Sequence, residues 1–311
     1  MTDDLRPERD AARLGALLAA GDAVDLHSHS RHSDGDWTPT ELIADASRLG
    51  LRLLSLTDHD TVSGQVEARS AAADADLLFL TGMEVSLSVN GRLYHVLGYD
   101  HDPASPTWQR FAELRQTRRE RYDLAQFEQL GAKGYAVSPD LARDAEGRFV
   151  PGPLAVALQR GGHAPTIEAA NQVIRGLGLR QPIELTYQDV FEFAELLGPE
   201  EAVFSVAHPG RDQAGVSVRL TEEDLTTLIR AIPLVALEAT HPYHQSADVA
   251  HFASLAAQHG LAVTCGSDAH GLRHRRPLLR HPAVVCQDFL ELIRARWLAR
   301  ARTPVEAGGT R

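Results

Sequence analysis

The segment Asp25-Leu26-His27-Ser28-His29, followed by Ser33-Asp34-Gly35, holds residue types and spacings suited to metal chemistry. Two histidines at i, i+2 on a strand project from one face, because strand side chains alternate. A pair of imidazoles with a carboxylate just downstream can hold a divalent ion. The logic returns near the other end of the chain, where Gly266-Ser267-Asp268-Ala269-His270 follows the apolar run Leu261-Ala262-Val263-Thr264. Between them, Thr57-Asp58-His59-Asp60, Gly82-Met83-Glu84, Ala207-His208-Pro209 and Glu238 also stand at or just past short apolar runs. A single strand-end histidine is more often a hydrogen-bonded loop residue. Six such strand ends in one chain favour a shared metal cluster.

Such residues need elements to position them. Residues 5–20 read as an amphipathic helix, with Leu5, Leu14, Leu17 and Leu18 at helical spacings. Residues 23–26 read as a strand ending in the histidine pair. Thr38 is the expected N-cap of a helix running to about Leu49, with Pro39 at N1 and Glu41 at N3. Strands are expected at 51–56, 77–80 and 93–99, with a helix at 62–75. From 106 to 194 strand-like runs become scarce and helical periodicity dominates. Strands resume at 202–206, 234–238 and 261–264. The reading is an α/β chain with 106–194 as a mostly helical insertion. The segment 1–21 is an N-terminal helix, and the tail 303–311 is expected to be disordered. Ligand types at the C-terminal ends of strands suit a β/α barrel and an open doubly wound sheet alike, so the pattern does not choose between them.

Composition narrows the function. The chain has 311 residues, a net charge of −11 and 43% hydrophobic residues, which suits an ordinary globular protein. The acidic balance argues against a broad nucleic-acid-coating surface. It leaves room for a phosphate-bearing substrate, because bound metals reverse the local sign. No apolar run reaches the roughly 18 residues of a membrane span. The N-terminus lacks the charge order of a signal peptide, and a cytoplasmic location is the default expectation. Cys265 and Cys286 lack the spacing of a thiolate zinc site and read as core thiols.

The series Asp25-Leu26-His27-Ser28-His29 with Asp34-Gly35, Thr57-Asp58-His59-Asp60, Gly82-Met83-Glu84, His95, Ala207-His208-Pro209 and Gly266-Ser267-Asp268-Ala269-His270 resembles the PHP (polymerase and histidinol phosphatase) family of metal-dependent phosphoesterases. The resemblance covers about 22–105 and 200–275, in family order. It implies a distorted (β/α)7 barrel over 22–105 and 195–290, holding two or three Mn, Fe or Zn ions. It implies that His27, His29 and Asp268 hold a first ion and that Glu84 bridges it to a second, completed by His95 and His208. Asp34, His59 and His270 would hold a third. The implied activity is hydrolysis of a small nucleotide-like phosphate ester, a nucleoside 3′,5′-bisphosphate or short oligoribonucleotide, by a metal-bridging hydroxide. Alternatives on the same fold are a histidinol-phosphate or other small-metabolite phosphatase, and a metal-binding module without catalysis.

Further residues are candidates for the chemistry. Asp58 could orient an imidazole or a bound water. His244, in the stretch Glu238-Ala239-Thr240-His241-Pro242-Tyr243-His244, could act as an acid toward the leaving group. On the helix from about Thr107, Phe111, Leu114, Tyr122 and Ala125 form the expected apolar stripe, with Arg118 in its middle and Arg121 at its margin. Both are candidates to clamp a second phosphate, and Arg211 is another. Arg115 and Arg119 read as a solvated face, with Glu113, Glu120 and Asp123 as partners. One departure from the nucleotide-acting relatives stands out. Their Arg-x-His element is missing where this chain reads Phe149-Val150-Pro151-Gly152-Pro153-Leu154-Ala155.

Overall fold

The computed structural model describes residues 7–145, 147, 149–150, 152–179, 186–198, 201–213 and 218–302. The expected tail 303–311 lies outside them. Helix α1 (Pro7–Ala20) leads into β1 (Ala23–Asp25), α2 (Pro39–Leu49), β2 (Leu53–Leu56), α3 (Gln65–Asp74) and β3 (Leu78–Val89). These strands pair in parallel, Val24 opposite Leu53 and Leu56 opposite Thr81. Helix α2 starts as its sequence dictates. The Thr38 hydroxyl accepts the Glu41 N–H, the Glu41 carboxylate accepts the Thr38 N–H, and Pro39 fills the first turn.

The sequence reading ends the third strand at Leu80, but β3 continues to Val89 and turns straight back into β4 (Arg92–Tyr99). The turn is Asn90-Gly91, with φ of 50° and 72°. Two central residues with positive φ make the hairpin turn that matches strand twist, and Asn-Gly is its sequence signal. Glu84 and His95 therefore sit inside paired strands, not at strand ends. Glu238 is likewise within its strand.

Between β4 and the next barrel strand come α4 (Pro106–Ala132), α5 (Pro153–Arg160), α6 (Ile167–Leu177) and α7 (Val190–Leu196). Then β5 (Val203–Val206), α8 (Glu222–Ala231), β6 (Leu234–Thr240), α9 (Ser246–Gln258), β7 (Ala262–Cys265), β8 (His281–Pro282) and α10 (Gln287–Arg302) complete the chain. The sheet order is β7–β6–β5–β4–β3–β2–β1–β8. Strand β4 is antiparallel to both neighbours, and β5, β6 and β7 pair in parallel.

Beyond β1 and β7 the chain closes on itself. Leu26 N–H donates to the Cys265 carbonyl (3.3 Å), His29 N–H to the Ala269 carbonyl (2.8 Å), and Ser28 bridges Ala269 in parallel. The result is a nearly closed, distorted β/α barrel with ten α-helices among the described residues. Its core packs Leu14 and Leu17 of α1 and Phe289, Ile293 and Trp297 of α10 against Val24, Leu80, Leu97 and Tyr99. A second cluster seats Leu42, Ile43 and Ala68 of α2 and α3 on Leu54 and Leu56. Each large side chain buried in these clusters stabilises the fold by about 1.5–3 kcal/mol.

The chain divides into two compact units. One comprises residues up to Arg110 and from Val190 onward; the other is Phe111–Asp189. The second unit has its own core of Phe127, Leu130, Leu154, Leu158 and Ala170. The phase of α4 differs from the sequence reading. Its buried positions are Trp108, Phe111, Arg115, Asp123, Gln126, Phe127 and Leu130, whereas Leu114, Tyr122 and Ala125 are only partly covered. Trp108 sets this phase, because its fully buried indole packs beside Phe193 and Phe204. Arg118 consequently flanks the stripe instead of interrupting it. Arg115 is not on a solvated face: it is buried, donates to the Thr186 carbonyl (2.7 Å) and lies over the Tyr187 ring. Arg119 does pair with Asp123, at 3.1 Å.

Candidate metal centre

The closing seam of the barrel brings the first and last motifs together. The fully buried Asp25 carboxylate accepts the Ser267 hydroxyl (2.5 Å), the Ser267 N–H (3.0 Å), the Leu279 N–H (3.0 Å) and the His27 N–H (3.3 Å). Asp58 plays the matching part for the next loop. It accepts the Ser30 N–H (2.7 Å), the Ser30 hydroxyl (2.6 Å) and the Ser33 hydroxyl (2.6 Å). Gly35 completes that loop, since a Cβ there would stand 2.4 Å from the His29 carbonyl oxygen. His208 and Asp268 have φ of 29° and 53°. Non-glycine residues held in that region cost on the order of 1–3 kcal/mol, and such strain clusters at functional sites.

Glu84 stands at the centre of five imidazoles. Its Oε1 lies 3.0 Å from His95 Nδ1 and 3.0 Å from His208 Nε2. Its Oε2 lies 3.1 Å from His27 Nε2, 3.1 Å from His29 Nε2 and 3.3 Å from His59 Nδ1. Asp268 Oδ1 joins the second set, 3.2 Å from His29 Nε2 and 3.6 Å from His27 Nε2. A third group forms alongside. His270 Nε2 is 3.2 Å from Asp34 Oδ2, His59 Nε2 is 4.0 Å from the same oxygen, and His29 Nδ1 is 3.7 Å from Asp34 Oδ1. The structure thus brings together all nine residues expected as ligands. Asp34 is the exposed member; the others are buried or nearly so.

The charge balance is that of a site built around cations. Burial alone would raise the Glu84 carboxyl, yet the surrounding imidazoles of His59, His27 and His95 and the hydrogen bond of His208 hold it well below its ordinary range. Burial pushes His59 and His208 down to about 4, so both rings are neutral with lone pairs to offer. Burial opposes charge on His29 too, but the adjacent carboxylates of Asp268 and Glu84 raise it to about 9. Among the described residues, His29 Nδ1 and Nε2 and His95 Nδ1 are buried nitrogens without a well-formed hydrogen bond. Buried polar atoms are normally satisfied, and imidazole nitrogens left over around shared carboxylates fit divalent ions. Four sets of ligand atoms come within 4.8 Å of one another: His27, His29, Glu84 and Asp268; His59, Glu84 and His95; His29, Asp34, His59 and His270; and His27, Glu238 and His241.

Other candidates are placed differently. Asp58 spends its carboxylate on the serines of the 28–34 loop, so it positions His29 and Asp34 and orients no imidazole. Both ring nitrogens of His244 are engaged: Nδ1 lies 2.7 Å from the Ala239 carbonyl, and Nε2 accepts the Gly210 N–H at 3.0 Å. This leaves His244 no nitrogen with which to serve as an acid. His241 is the better placed. Its Nδ1 accepts the Tyr243 N–H, which assigns the proton to Nε2, a buried atom without a hydrogen bond, 3.7 Å from Asp268 Oδ2. Arg211 reaches the site, with Nη1 3.8 Å from Asp268 Oδ2. Arg118 is half-buried and Arg121 exposed on α4, in the other compact unit.

Three contributors stand outside the expected ligand and catalytic sets. Glu238 lies 3.0 Å from His27 Nδ1 and also accepts the His208 N–H at 2.7 Å, which fixes two ligands at once. Its place among the strand-end acids was the available signal. Asp25 gave no signal beyond its adjacency to the histidine pair. Arg276 donates to Asp268 Oδ2 at 2.8 Å. It lies in the basic run Arg273-His274-Arg275-Arg276, where nothing singles it out.

Comparison with known proteins agrees with this geometry. The family described as PHP domain matches residues 25–145. The 3′,5′-nucleoside bisphosphate phosphatase of Chromobacterium violaceum is 31% identical over 254 residues, covering 79% of this chain and 87% of that protein. The phosphoribosyl 1,2-cyclic phosphate 1,2-diphosphodiesterase of Eggerthella lenta is 29% identical over 262 residues, 81% of this chain and 96% of that one. A solved structure described as a putative metal-dependent phosphoesterase from Bifidobacterium adolescentis superposes with a TM-score of 0.69 at 26% identity, covering 88% of this chain and 96% of that one. On the domain match and the extent of this identity, the chain belongs to the PHP family of metal-dependent phosphoesterases.

Proposed function

We propose that this phosphoesterase cleaves a phosphate ester of a small nucleotide-like substrate, a nucleoside 3′,5′-bisphosphate or a short oligoribonucleotide end. The observation that carries the reading is Glu84, whose two oxygens face separate histidine sets, the arrangement a carboxylate needs to bridge two ions. His27, His29 and Asp268 would hold one ion, His95 and His208 a second with Glu84 between them, and Asp34, His59 and His270 a third. Imidazole with carboxylate suits Mn, Fe or Zn. Such ions lower the pKa of bound water and neutralise phosphate charge. The chain's own residues supply the rest. Glu238 fixes the tautomer and orientation of His27. His241, with its proton on Nε2, is the donor toward the leaving oxygen. Arg118 and Arg121 are the proposed ligands of a second phosphate. The names of the Chromobacterium and Eggerthella relatives support a small phosphorylated substrate.

The test is phosphate release from nucleoside bisphosphates, dinucleotides, cyclic phosphates and histidinol phosphate, with Mn added. Nucleoside bisphosphate should be preferred, and His27→Ala or Asp268→Ala should abolish turnover while unfolding stays cooperative. Preference for histidinol phosphate overturns the substrate class. Unchanged turnover by either variant overturns the ligand assignment.

A further inference from the structure

Asp268 has two differently used faces. Oδ1 points at His27, His29 and His270, whereas Oδ2 meets a second set of groups. Arg276 Nη2 lies 2.8 Å from Oδ2, His241 Nε2 3.7 Å and Arg211 Nη1 3.8 Å. Two guanidiniums therefore share one carboxylate. Both also lie against Tyr243, Arg211 at 4.8 Å and Arg276 at 5.2 Å from the ring centroid, and Arg276 bonds to the Tyr243 hydroxyl. Tyr243 is half exposed, so this corner is open to solvent on one side.

Neither arginine has spent its donors. Arg211 Nε is buried with no hydrogen-bond partner among the described residues, and its Nη2 reaches only Gln213. Arg276 Nη1 lies 3.1 Å from His270 Nδ1, but that nitrogen is also 2.7 Å from the Asp268 carbonyl. His270 Nε2 in turn faces the Asp34 carboxylate at 3.2 Å, so each ring nitrogen is already turned to an acceptor of its own. A nitrogen that donates cannot also accept, so neither Nδ1 nor Nε2, the latter 3.4 Å from Arg276 Nη1, is a good acceptor for that guanidinium nitrogen. Two adjacent cations with leftover donors, next to a carboxylate already committed on its other face, call for an oxyanion.

We infer that Arg276 and Arg211 form a clamp for the phosphoryl group being cleaved, with Tyr243 setting the spacing of the two guanidiniums. This inference rests on the phosphoesterase reading and adds a specificity-determining residue, Arg276. Guanidinium forks match phosphate oxygens bidentately. The clamp adjoins Asp268, so it grips the reacting phosphoryl group and not a distant second phosphate.

The experiment measures binding of inorganic phosphate to the metal-loaded protein by calorimetry, beside KM and kcat for a monoester and a bisphosphate. Arg276→Gln should weaken phosphate binding about tenfold and raise KM for both esters by a similar factor, with metal content and melting temperature retained. Unchanged phosphate affinity at full metal content overturns the clamp. A KM rise confined to the bisphosphate overturns it as well, since it would place Arg276 on the second phosphate. If Arg276→Gln loses metal, Arg211→Gln decides, because Arg211 makes no short contact to Asp268; normal metal with unchanged phosphate affinity is then the overturning result. Wild-type protein that binds phosphate yet cleaves no ester would refute the proposed function and leave the clamp standing.

Discussion

Glu238 and His27 are separated by 211 residues, yet Glu238 Oε1 sits 3.0 Å from His27 Nδ1 with both side chains fully buried. The contact fixes which nitrogen of His27 can face Glu84 and Asp268. Outer carboxylates of this kind typically account for 10–100-fold in metal affinity. Glu238→Gln should therefore weaken metal binding by about that factor while the barrel persists. Glu238→Ala should also unfold more easily by roughly 1–3 kcal/mol, because the buried His208 N–H loses its acceptor. Metal titration together with denaturant unfolding checks both statements; equal metal affinity in Glu238→Gln would remove Glu238 from the site.

A methyl group at Gly266 has nowhere to go. It would stand 2.3 Å from His27 Cβ and 2.6 Å from a Glu238 oxygen. Gly266→Ala must displace the ligand or its carboxylate partner, since overpacking costs about 1–3 kcal/mol. The expected result is a lower melting temperature together with loss of metal. Full occupancy in a normally stable variant would show that the close approach relaxes without harm.

Removal of metal should be visible in stability as well as in activity. Ions that bind only the folded chain stabilise it, by about 4 kcal/mol at a thousandfold excess over Kd. Chelation should thus lower the melting temperature of the wild type. Glu84→Gln, which loses the shared carboxylate, should melt at nearly the same temperature with and without chelator. Scanning calorimetry of the two proteins decides the point, and a chelator-insensitive wild type counts against the centre.

His101 offers a pH test away from the metal residues. Its ring is buried edge-on against Trp108 at 4.6 Å, and neither nitrogen has a hydrogen-bond partner among the described residues. Burial, with Arg69 and Arg300 adding to it, lowers its pKa to about 3. The folded state therefore refuses a proton that the unfolded state accepts below about 6.5. Stability from this group is complete above pH 6.5 and is lost as pH falls from 6.5 toward 3, on the order of 4 kcal/mol in all. His101→Leu should be the more stable protein at neutral pH and should lose less stability on acidification. Parallel wild-type and variant curves across that window would contradict the assignment.

Much of the site was legible because metal ligation restricts residue type and strand geometry restricts spacing. His27 and His29 face one centre, although β1 itself ends at Asp25, since the bridge of Ser28 to Ala269 keeps the chain extended. Helix α2 was legible down to its cap. What misled was tertiary. The third strand runs past Leu80 because it pairs with β4 through the Asn90-Gly91 hairpin, which carries Glu84 inside a strand instead of at its end. The phase of α4 departs from its apolar periodicity because Trp108, packed beside Phe193 and Phe204, sets the buried face. Asp58 and His244 have the right chemistry, but their polar atoms are consumed by local backbone and serine partners. No spacing rule reports that.

The seam between β1 and β7 gives these observations a further meaning. The barrel joint between β1 and β7, from Asp25 to Ser267 and from His29 to Ala269, is also where His27 and His29 meet Asp268. A chain whose ring is still open would lack a complete set of the proposed first-ion ligands, so metal capture is expected to follow closure. During synthesis the two halves of that set emerge more than 200 residues apart. A product truncated before Asp268 would thus carry most of the proposed histidine ligands without the carboxylate that joins them.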